Sequence, residues 1–153
     1  MANIVFNIAK GRVVEYYNRV KSNDPANSAI ILVPIETSGL ESDATLIDKD
    51  DLAALLAGTT NEQSTMGRKT LTDADLASLP APDDTSDRYD VSLPTVTWTA
   101  ASGNAISKIA VCYDSDTTGG TDSAIIPLTM FDFVQTPSGA DIQMTTGVFF
   151  RAS

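Results

Sequence analysis

The pattern that decides the fold lies in residues 93–150, whose strand-like segments read TVTWTA (95–100), ISKIAVCYDSD (106–116), SAIIPLTMFDF (123–133) and SGADIQMTTGVFF (138–150). Apolar and hydroxyl-bearing residues alternate along these segments, and Gly- and Asp-rich stretches such as TTGGTD (117–122) separate them. An antiparallel sheet needs both the alternation and the tight turns. The tract therefore predicts strands that pack and present surface, and it carries almost no side chain able to perform catalysis.

Alternation along a strand also predicts which side chains point inward, because successive side chains lie on opposite faces. The expected inward rows are Val96, Trp98 and Ala100; Ile109, Val111 and Tyr113; Ala124, Ile126, Leu128 and Met130; and Ile142, Met144, Val148 and Phe150. An irregularity is expected near Gly147. Trp98, the only tryptophan, is placed in the core. Four such rows suffice for a sheet that forms half of a sandwich.

The N-terminal part of the chain predicts a helix followed by a buried strand. Residues 7–21 have an amphipathic pattern, and the sequence SNDP after them ends the helix. The apolar stripe of this helix consists of Ile8, Val13, Tyr16, Tyr17 and Val20. Residues 28–36 are apolar on both faces, which is typical of a buried strand. Pro34 indicates that one side of this strand lacks a ladder partner at that point.

Shorter elements are expected before the sheet-rich tract. Residues 43–48 and 68–71 are expected to form short strands. Either Asp48 or Asp50 is expected to cap a short helix over LAALL, and a second capped helical turn begins at Thr72.

The expected fold class is mainly β, with β-sandwich-like antiparallel sheets, an N-terminal amphipathic helix and one or two short helices. A single domain is expected to span residues 1–153. Within it, an acidic linker at 81–90 (APDDTSDRYD) joins a helix–strand–helix portion, 1–80, to a sheet-rich portion, 91–153.

Composition excludes the commonest catalytic machinery. The chain has no histidine, which removes the most frequent general base and transition-metal ligand. Its one cysteine, Cys112, lies in the apolar run IAVCY and is interpreted as a small buried hydrophobic residue. Triads that combine serine or cysteine with histidine are therefore excluded, and we expect neither an enzyme nor a cofactor.

The formal net charge is −10, from 20 acidic and 10 basic residues. Such a surface repels phosphate backbones and anionic membranes, so neither nucleic acid nor a membrane is expected as a partner. The longest apolar run, 29–35, is too short to span a bilayer, and the N-terminus lacks a targeting pattern. The expected protein is soluble and made in a cytoplasm.

One turn has the pattern of a calcium-binding loop. Asp114, Asp116 and Gly119 follow the spacing D-x-D-x-x-G, and Asp122 adds a carboxylate. The twelfth position is Ile125, which cannot be a ligand, and the segment lies between expected strands. A hairpin turn is therefore the preferred interpretation, with Asp114, Asp116 and Asp122 as a weak calcium candidate.

Two charged groups have open interpretations. An acidic group, interpreted as a solvated linker or alternatively as a cation clamp, consists of Asp83, Asp84, Asp87 and Asp90. The N-terminal helix is instead basic, and it either covers the sheet or docks onto an acidic partner. In the second case, the partner-facing residues are Lys10, Arg12, Tyr16, Arg19 and Lys21.

The order of these segments resembles that of small accessory structural proteins of tailed bacteriophage virions. The resemblance covers most of the chain and is carried by AKGRVVEYYNRV (9–20), AIILVPI (29–35), DKDDLAALLAG (48–58), VTWTAASG (96–103), the tract 106–133 and TTGVFFRAS (145–153). It carries no catalytic motif.

The resemblance implies a non-enzymatic virion protein that decorates or cements the capsid surface. Its partner would be the major capsid or neck protein, and its state a homo-oligomer, with a trimer favoured. A neck, connector or fibre-attachment protein is the alternative within the same class. The residues also leave open a carbohydrate- or receptor-binding β module that uses Tyr89, Tyr113 and the loop 114–122.

Overall fold

The computed structural model describes residues 3–153. The strands are β1 (Asn3–Val5), β2 (Ala29–Glu36), β3 (Lys69–Leu71), β4 (Tyr89–Leu93), β5 (Val96–Trp98), β6 (Ile106–Asp114), β7 (Ile126–Gln135), β8 (Ile142–Met144) and β9 (Gly147–Ala152). The helices are α1 (Val13–Lys21), α2 (Asp43–Leu46), α3 (Leu52–Leu56) and α4 (Asp73–Leu76). Two 3₁₀ turns lie at Asn7–Ala9 and Asp122–Ala124.

Five strands form one antiparallel sheet in the order β1–β7–β6–β2–β3. Its long central strands β6 and β2 are buried on both faces, as the apolar run in β2 predicts. The ladder between β2 and β3 covers only Ile30 to Leu32, so it ends before Pro34. Beyond the ladder, an isolated bridge pairs Ile35 with Glu62, and the Gln63 N–H donates to the Pro34 carbonyl at 2.9 Å. Pro34 therefore lies opposite an isolated bridge rather than a continuous ladder.

Residues 89–152 form a single antiparallel ribbon that doubles back on itself. In every strand pair of this segment, from Tyr89↔Ala152 to Tyr113↔Ile126, the two residue numbers add up to 239, 240 or 241. The pairs β4–β9, β5–β8 and β6–β7 are therefore consecutive lengths of one hairpin centred on Gly120. Gly120 has a φ of +87°, a backbone conformation that favours glycine.

The ribbon bends between its inner half, β6 with β7, and its outer half, β4–β5 with β8–β9. At the bend the Gly139 N–H donates to the Ala101 carbonyl at 2.7 Å, which keeps the two strands together. Ala100, Gly103 and Gly139 there have φ values of +49°, +106° and +87°. These left-handed conformations turn the chain, so that the outer half packs over one face of the inner half.

Two hydrophobic cores lie on the two faces of the five-stranded sheet. The larger core lies between the sheet, the outer ribbon and α1, and it includes Tyr17, Trp98 and Phe131. The smaller core lies between the opposite face and α2 and α3, and it includes Leu52 and Cys112. Because the ribbon packs face to face on the sheet, the predicted mainly β class with β-sandwich-like antiparallel sheets is confirmed.

Register shifts change which side chains of the ribbon point inward. A shift next to Val111 places Leu128 in the larger core and Met130 in the smaller one, although one row was expected. A shift next to Val91 turns Phe149 inward and leaves Val148 42% exposed. The expected rows are therefore wrong beyond these bulges, because one inserted residue reverses the alternation.

The N-terminal helix is shorter than predicted. Gly11, with a φ of +79°, separates the first 3₁₀ turn from α1. Ile8 is 37% exposed and does not belong to the apolar stripe. The other stripe residues are buried in the larger core, so α1 covers the sheet.

Helix caps account for two wrong predictions in the segment that follows β2. Residues 43–48 contain α2 rather than a strand, because the Ser42 side chain caps the helix N-terminus. Asp51, rather than Asp48 or Asp50, caps α3. Its carboxylate accepts the N–H at the third position of the helix at 2.7 Å.

The stretch between β3 and β4 is partly as predicted. Thr72 caps α4, and the Asp75 carboxylate accepts the Thr72 N–H at 2.8 Å, as in a capping box. The predicted linker 81–90 is shorter than expected, because β4 begins at Tyr89 and the preceding turn is closed by a bridge between Asp83 and Arg88.

A buried glutamine joins the loop before β3 to the bend of the ribbon. The side-chain amide of Gln63 donates to the Asn104 carbonyl at 2.8 Å and accepts the Thr65 N–H at 2.8 Å. The packing is close, since a Cβ added at Gly103 would lie 2.2 Å from Gln63 Nε2. Gln63 therefore connects two backbone segments that no ladder joins.

We expect Gln63→Glu to lower the free energy of unfolding by about 1–3 kcal/mol, because a carboxylate cannot donate to the Asn104 carbonyl. Urea denaturation followed by circular dichroism measures the change. Gln135→Glu is the same isosteric change at an exposed position, and we expect a change within about 0.5 kcal/mol. Equal effects of the two substitutions would contradict the role of Gln63.

Trp98 is 1% exposed, and its Nε1 donates to the Gly67 carbonyl at 3.0 Å. We expect Trp98→Ala to cost about 3–5 kcal/mol of stability, since it leaves a cavity. Trp98→Phe is expected to cost less, about 1–3 kcal/mol, because it retains a ring but loses the hydrogen bond. Urea denaturation by circular dichroism tests this order, with exposed Thr99→Ala as the control. No loss of stability in Trp98→Ala would show that the core assignment is wrong.

Candidate interaction surface

A row of charged side chains begins at Arg12, just before α1, and continues along the helix. The side chains of Arg12, Glu15 and Arg19 are 49%, 43% and 48% exposed. Glu15 contacts Arg12 at 3.2 Å and Arg19 at 3.1 Å, because these positions are three and four residues apart on a helix. The hydrogen bond from Arg12 is the main cause of the lowered pKa of Glu15. Two cations share one anion in this row, which leaves surplus positive charge.

The five residues predicted to face a partner differ in their exposure and contacts. Lys10 is exposed, as are the two arginines of the row. Lys21 is partly buried, and its Nζ donates to the Leu79 carbonyl at 2.7 Å. Tyr16 is 4% exposed, and its ring stacks on that of Tyr113 with centroids 4.6 Å apart. Tyr16 is therefore a core residue, which corrects its assignment to the interface.

Most basic side chains outside α1 are paired with carboxylates. These pairs are Lys49 with Glu41, Arg68 with Glu62 and Asp122, Arg88 and Arg151 with Asp90, and Lys108 with Asp43 and Asp132. Lys69 lies 6.0 Å from the centre of the Trp98 ring. The surplus positive charge of the molecule is thus concentrated in residues 10–21, which hold four basic residues and one acidic residue.

Arg68 connects three parts of the fold. Its guanidinium contacts Glu62 in the preceding loop at 2.7 Å and Asp122 in the second 3₁₀ turn at 2.7 Å. Both contacts are double hydrogen bonds, which fit the planar guanidinium. The hydrogen bonds from Arg68 lower the pKa of Asp122, and those with Asp122 and Glu62 raise the pKa of Arg68. This pairing fixes edge strand β3 against the β6–β7 hairpin.

Lys108 forms the second multiple ion pair, and it is only 8% exposed. Its Nζ lies 2.6 Å from Asp132 on the neighbouring strand and 3.2 Å from Asp43 at the start of α2. Burial acts to lower the pKa of Lys108, but the hydrogen bonds to the two carboxylates outweigh it and raise the pKa. The ion pair holds α2 on the sheet.

The predicted calcium candidates do not come together. Asp122 faces Arg68, whereas the Asp114 carboxylate accepts the Asp116 N–H at 3.0 Å and Asp116 accepts the Thr118 N–H at 3.0 Å. Over residues 3–153, no group of three acidic, cysteine or histidine side chains is placed to hold a metal ion. The segment is a hairpin turn stabilised by side-chain bonds to its own backbone.

The aromatic side chains proposed for sugar binding are not available at the surface. Tyr89 and Tyr113 are 5% and 4% exposed, and the Tyr89 hydroxyl donates to Asn18 at 3.2 Å.

An open cleft of about 330 Å³ lies beside the acidic turn 82–88, and an apolar pocket of about 50 Å³ lies between Phe131 and the break in the outer ribbon.

The environment of Cys112 agrees with its interpretation as a buried hydrophobic residue. Cys112 is fully buried, as predicted, and burial raises the pKa of its thiol. In the part of the chain that the structure describes, no helix has the length and apolar character needed to cross a membrane.

No protein-family model, curated protein or solved structure matches this chain. The fold and its surface define a β-rich module with two hydrophobic cores, several ion pairs between segments and a net positive stretch at residues 10–21 in an acidic chain. Sequence reasoning missed Gln63, Arg68 and Lys108, because their partners lie on separate elements. Only Lys108 had a sequence signal, as a single basic residue within an apolar strand.

We expect Arg68→Gln to lower stability by about 2 kcal/mol at neutral pH, since it removes charge-assisted hydrogen bonds. The lowered pKa of Asp122 means that its ionised form stabilises the fold above its unfolded value of 3.8, and that this contribution disappears as the pH falls through the folded value. The difference between wild type and variant should therefore shrink below about pH 4.

Urea denaturation at several pH values between neutral and about pH 3 measures this difference. Lys69→Gln is the control, since Lys69 is adjacent in sequence but lies over a ring rather than a carboxylate. Its effect should not depend on pH in this range. A pH-independent difference for Arg68→Gln would contradict the pairing with Asp122.

Proposed function

We propose that this chain is a non-enzymatic structural protein of a tailed bacteriophage particle that decorates or cements the capsid surface. The observation that carries the proposal is the use of charged side chains to connect separate structural elements. Arg68 binds Glu62 and Asp122, and Lys108 binds Asp43 and Asp132, so each joins carboxylates from different segments. Ion pairs of this kind fix segments of the fold against one another, which suits a structural role.

The order of the elements supports the phage setting. The segments that carry the resemblance correspond to α1, β2, α3 and the antiparallel ribbon of residues 89–152. A carbohydrate-binding module receives less support, because burial of Tyr89 and Tyr113 removes the rings that would stack on a sugar. The proposed location is the virion, after synthesis in the host cytoplasm, and the proposed partner is the major capsid protein or, alternatively, a neck protein.

The test is the number of copies of this chain in purified particles, measured by quantitative mass spectrometry. Decoration or cementing predicts many copies, in a fixed ratio to the major capsid protein. One or a few copies per particle would favour a neck, connector or fibre protein instead. Absence from the particle would overturn the proposal.

A second measurement separates cementing from passive decoration. Particles assembled without this chain should lose their genome at a lower temperature, and adding the purified chain should restore the original temperature. Protein that carries the exposed substitution Gln135→Glu should restore the temperature equally well. An unchanged release temperature without the chain would rule out cementing and leave decoration.

A further inference from the structure

We propose that Lys108 and Asp132 form a covalent amide between their side chains, an isopeptide bond, and that Asp43 moves the protons in this reaction. The three groups lie in one cluster, since Lys108 Nζ is 2.6 Å from Asp132 Oδ1 and 3.2 Å from Asp43 Oδ1. They come from β6, β7 and the first turn of α2. The chain would modify itself with its own residues, and the reaction does not depend on the virion assignment.

The strand register fixes the two reacting groups. Lys108 lies directly opposite Asp132 in the ladder between β6 and β7, and both strands have a neighbour on each side in the five-stranded sheet. Nζ therefore stays in contact with the carboxyl group whose carbon it must attack. Groups held with their reacting atoms about 3–3.5 Å apart reach effective concentrations of about 10⁵–10⁸ M. At such concentrations an amide forms that two separate molecules in water would not form.

The amine is buried, whereas the carboxyl groups reach solvent. The side chain of Lys108 is 10% exposed, and those of Asp43 and Asp132 are 44% and 46% exposed. Lys108 lies at the border of the smaller core, opposite the fully buried Ile35 of β2. The nitrogen is thus held away from bulk water, and the water molecule that the reaction releases has a direct path to solvent.

Proton transfer inside the cluster supplies the neutral amine that the reaction needs. Burial disfavours the ammonium form of Lys108, but the hydrogen bonds to the two carboxylates outweigh burial and raise its pKa. At neutral pH the ammonium group therefore does not lose its proton to solvent. Asp43 instead accepts this proton and passes it to Asp132, which becomes an uncharged carboxylic acid open to attack.

The bond changes balance without a further reactant. The Nζ lone pair forms a bond to Asp132 Cγ, and the electron pair of the C=O bond moves onto its oxygen. Asp43 then transfers a second nitrogen proton to the hydroxyl oxygen, the C=O bond forms again, the C–O bond breaks and water leaves. One ammonium and one carboxylate thus become one neutral amide and one water molecule, and Asp43 returns to its carboxylate form.

Arg68 has the same number of carboxylate partners but cannot react in this way. Its guanidinium binds Glu62 and Asp122 at 2.7 Å each. A guanidinium is not deprotonated in proteins, so it offers no nucleophilic nitrogen. Only the Lys108 cluster combines an amine, a carboxyl group in contact with it and a second carboxylate that can carry protons.

Intact-mass spectrometry of the purified chain tests the proposal. We expect a species lighter than the sequence mass by one water molecule, in a fraction that rises while the folded chain is incubated at neutral pH. Lys108→Arg keeps the positive charge beside both carboxylates but has no amine, so it should retain its full mass. Asp43→Asn cannot accept a proton and should lose water about 10²–10⁴-fold more slowly than wild type. Circular dichroism checks that both variants are folded.

Digestion of the denatured chain with trypsin locates the bond. Trypsin does not cleave after a lysine whose amine has become an amide, so a bond to Asp132 leaves residues 89–151 as one fragment, lighter by one water molecule. A bond to Asp43 would instead join this fragment to residues 22–49. Without a bond, cleavage after Lys108 gives the separate fragments 89–108 and 109–151.

Four results would overturn the proposal. Two come from the wild-type chain: retention of the full sequence mass after incubation, and complete cleavage after Lys108. The third is a fragment joined through Asp43, which would exchange the assigned roles of the two carboxyl groups. The fourth is equal loss of water in Lys108→Arg, which would assign the lost water to cyclisation of an aspartate elsewhere in the chain.

Discussion

The common register of residues 89–152 is the constraint on which the rest of the structure depends. Side chains alternate with a period of two along a strand, so a slip of one residue would exchange the buried and exposed faces of the ribbon. The inner half of the ribbon supplies β6 and β7 of the five-stranded sheet, and the outer half supplies the layer that covers it. Both hydrophobic cores and the position of α1 on the sheet therefore depend on this common strand register.

Ladders join neighbouring strands, but they do not attach the loops and short helices around the ribbon. Those attachments come from a few long-range polar contacts. Gln63 binds the bend at Asn104, Arg68 links the start of β3 to Asp122, and Lys108 links the sheet to Asp43 of α2. With twice as many acidic as basic residues, almost every basic residue outside α1 is engaged with a carboxylate. The surplus on α1 is notable because the rest of the chain uses its cations internally.

Much of the ribbon can be predicted from sequence, because alternation and turn residues are local signals. The inward positions of Trp98 and Val111 follow from this alternation, whereas Phe149 does not, since its bulge depends on how β4 and β9 meet. The Asp122 carboxylate was wrongly predicted as a possible calcium ligand, because its partner Arg68 lies 54 positions away in the sequence. Tyr16 was assigned to an interface because the stacking ring of Tyr113 lies on a distant strand. Contacts between distant segments thus account for these wrong assignments, whereas α2 and the cap of α3 were mispredicted because of local bonds from Ser42 and Asp51.

The position of Gly120 at the centre of the ribbon also bears on how the chain assembles. Tyr89 and Ala152 are paired although they lie 63 positions apart, and direct closure of so long a loop is entropically costly. Pairing that starts next to Gly120 and proceeds outward brings each successive pair together across a short gap. The outermost strands, β4 and β9, are then aligned before they meet. A topology dominated by long-range contacts can in this way form through a series of nearly local steps.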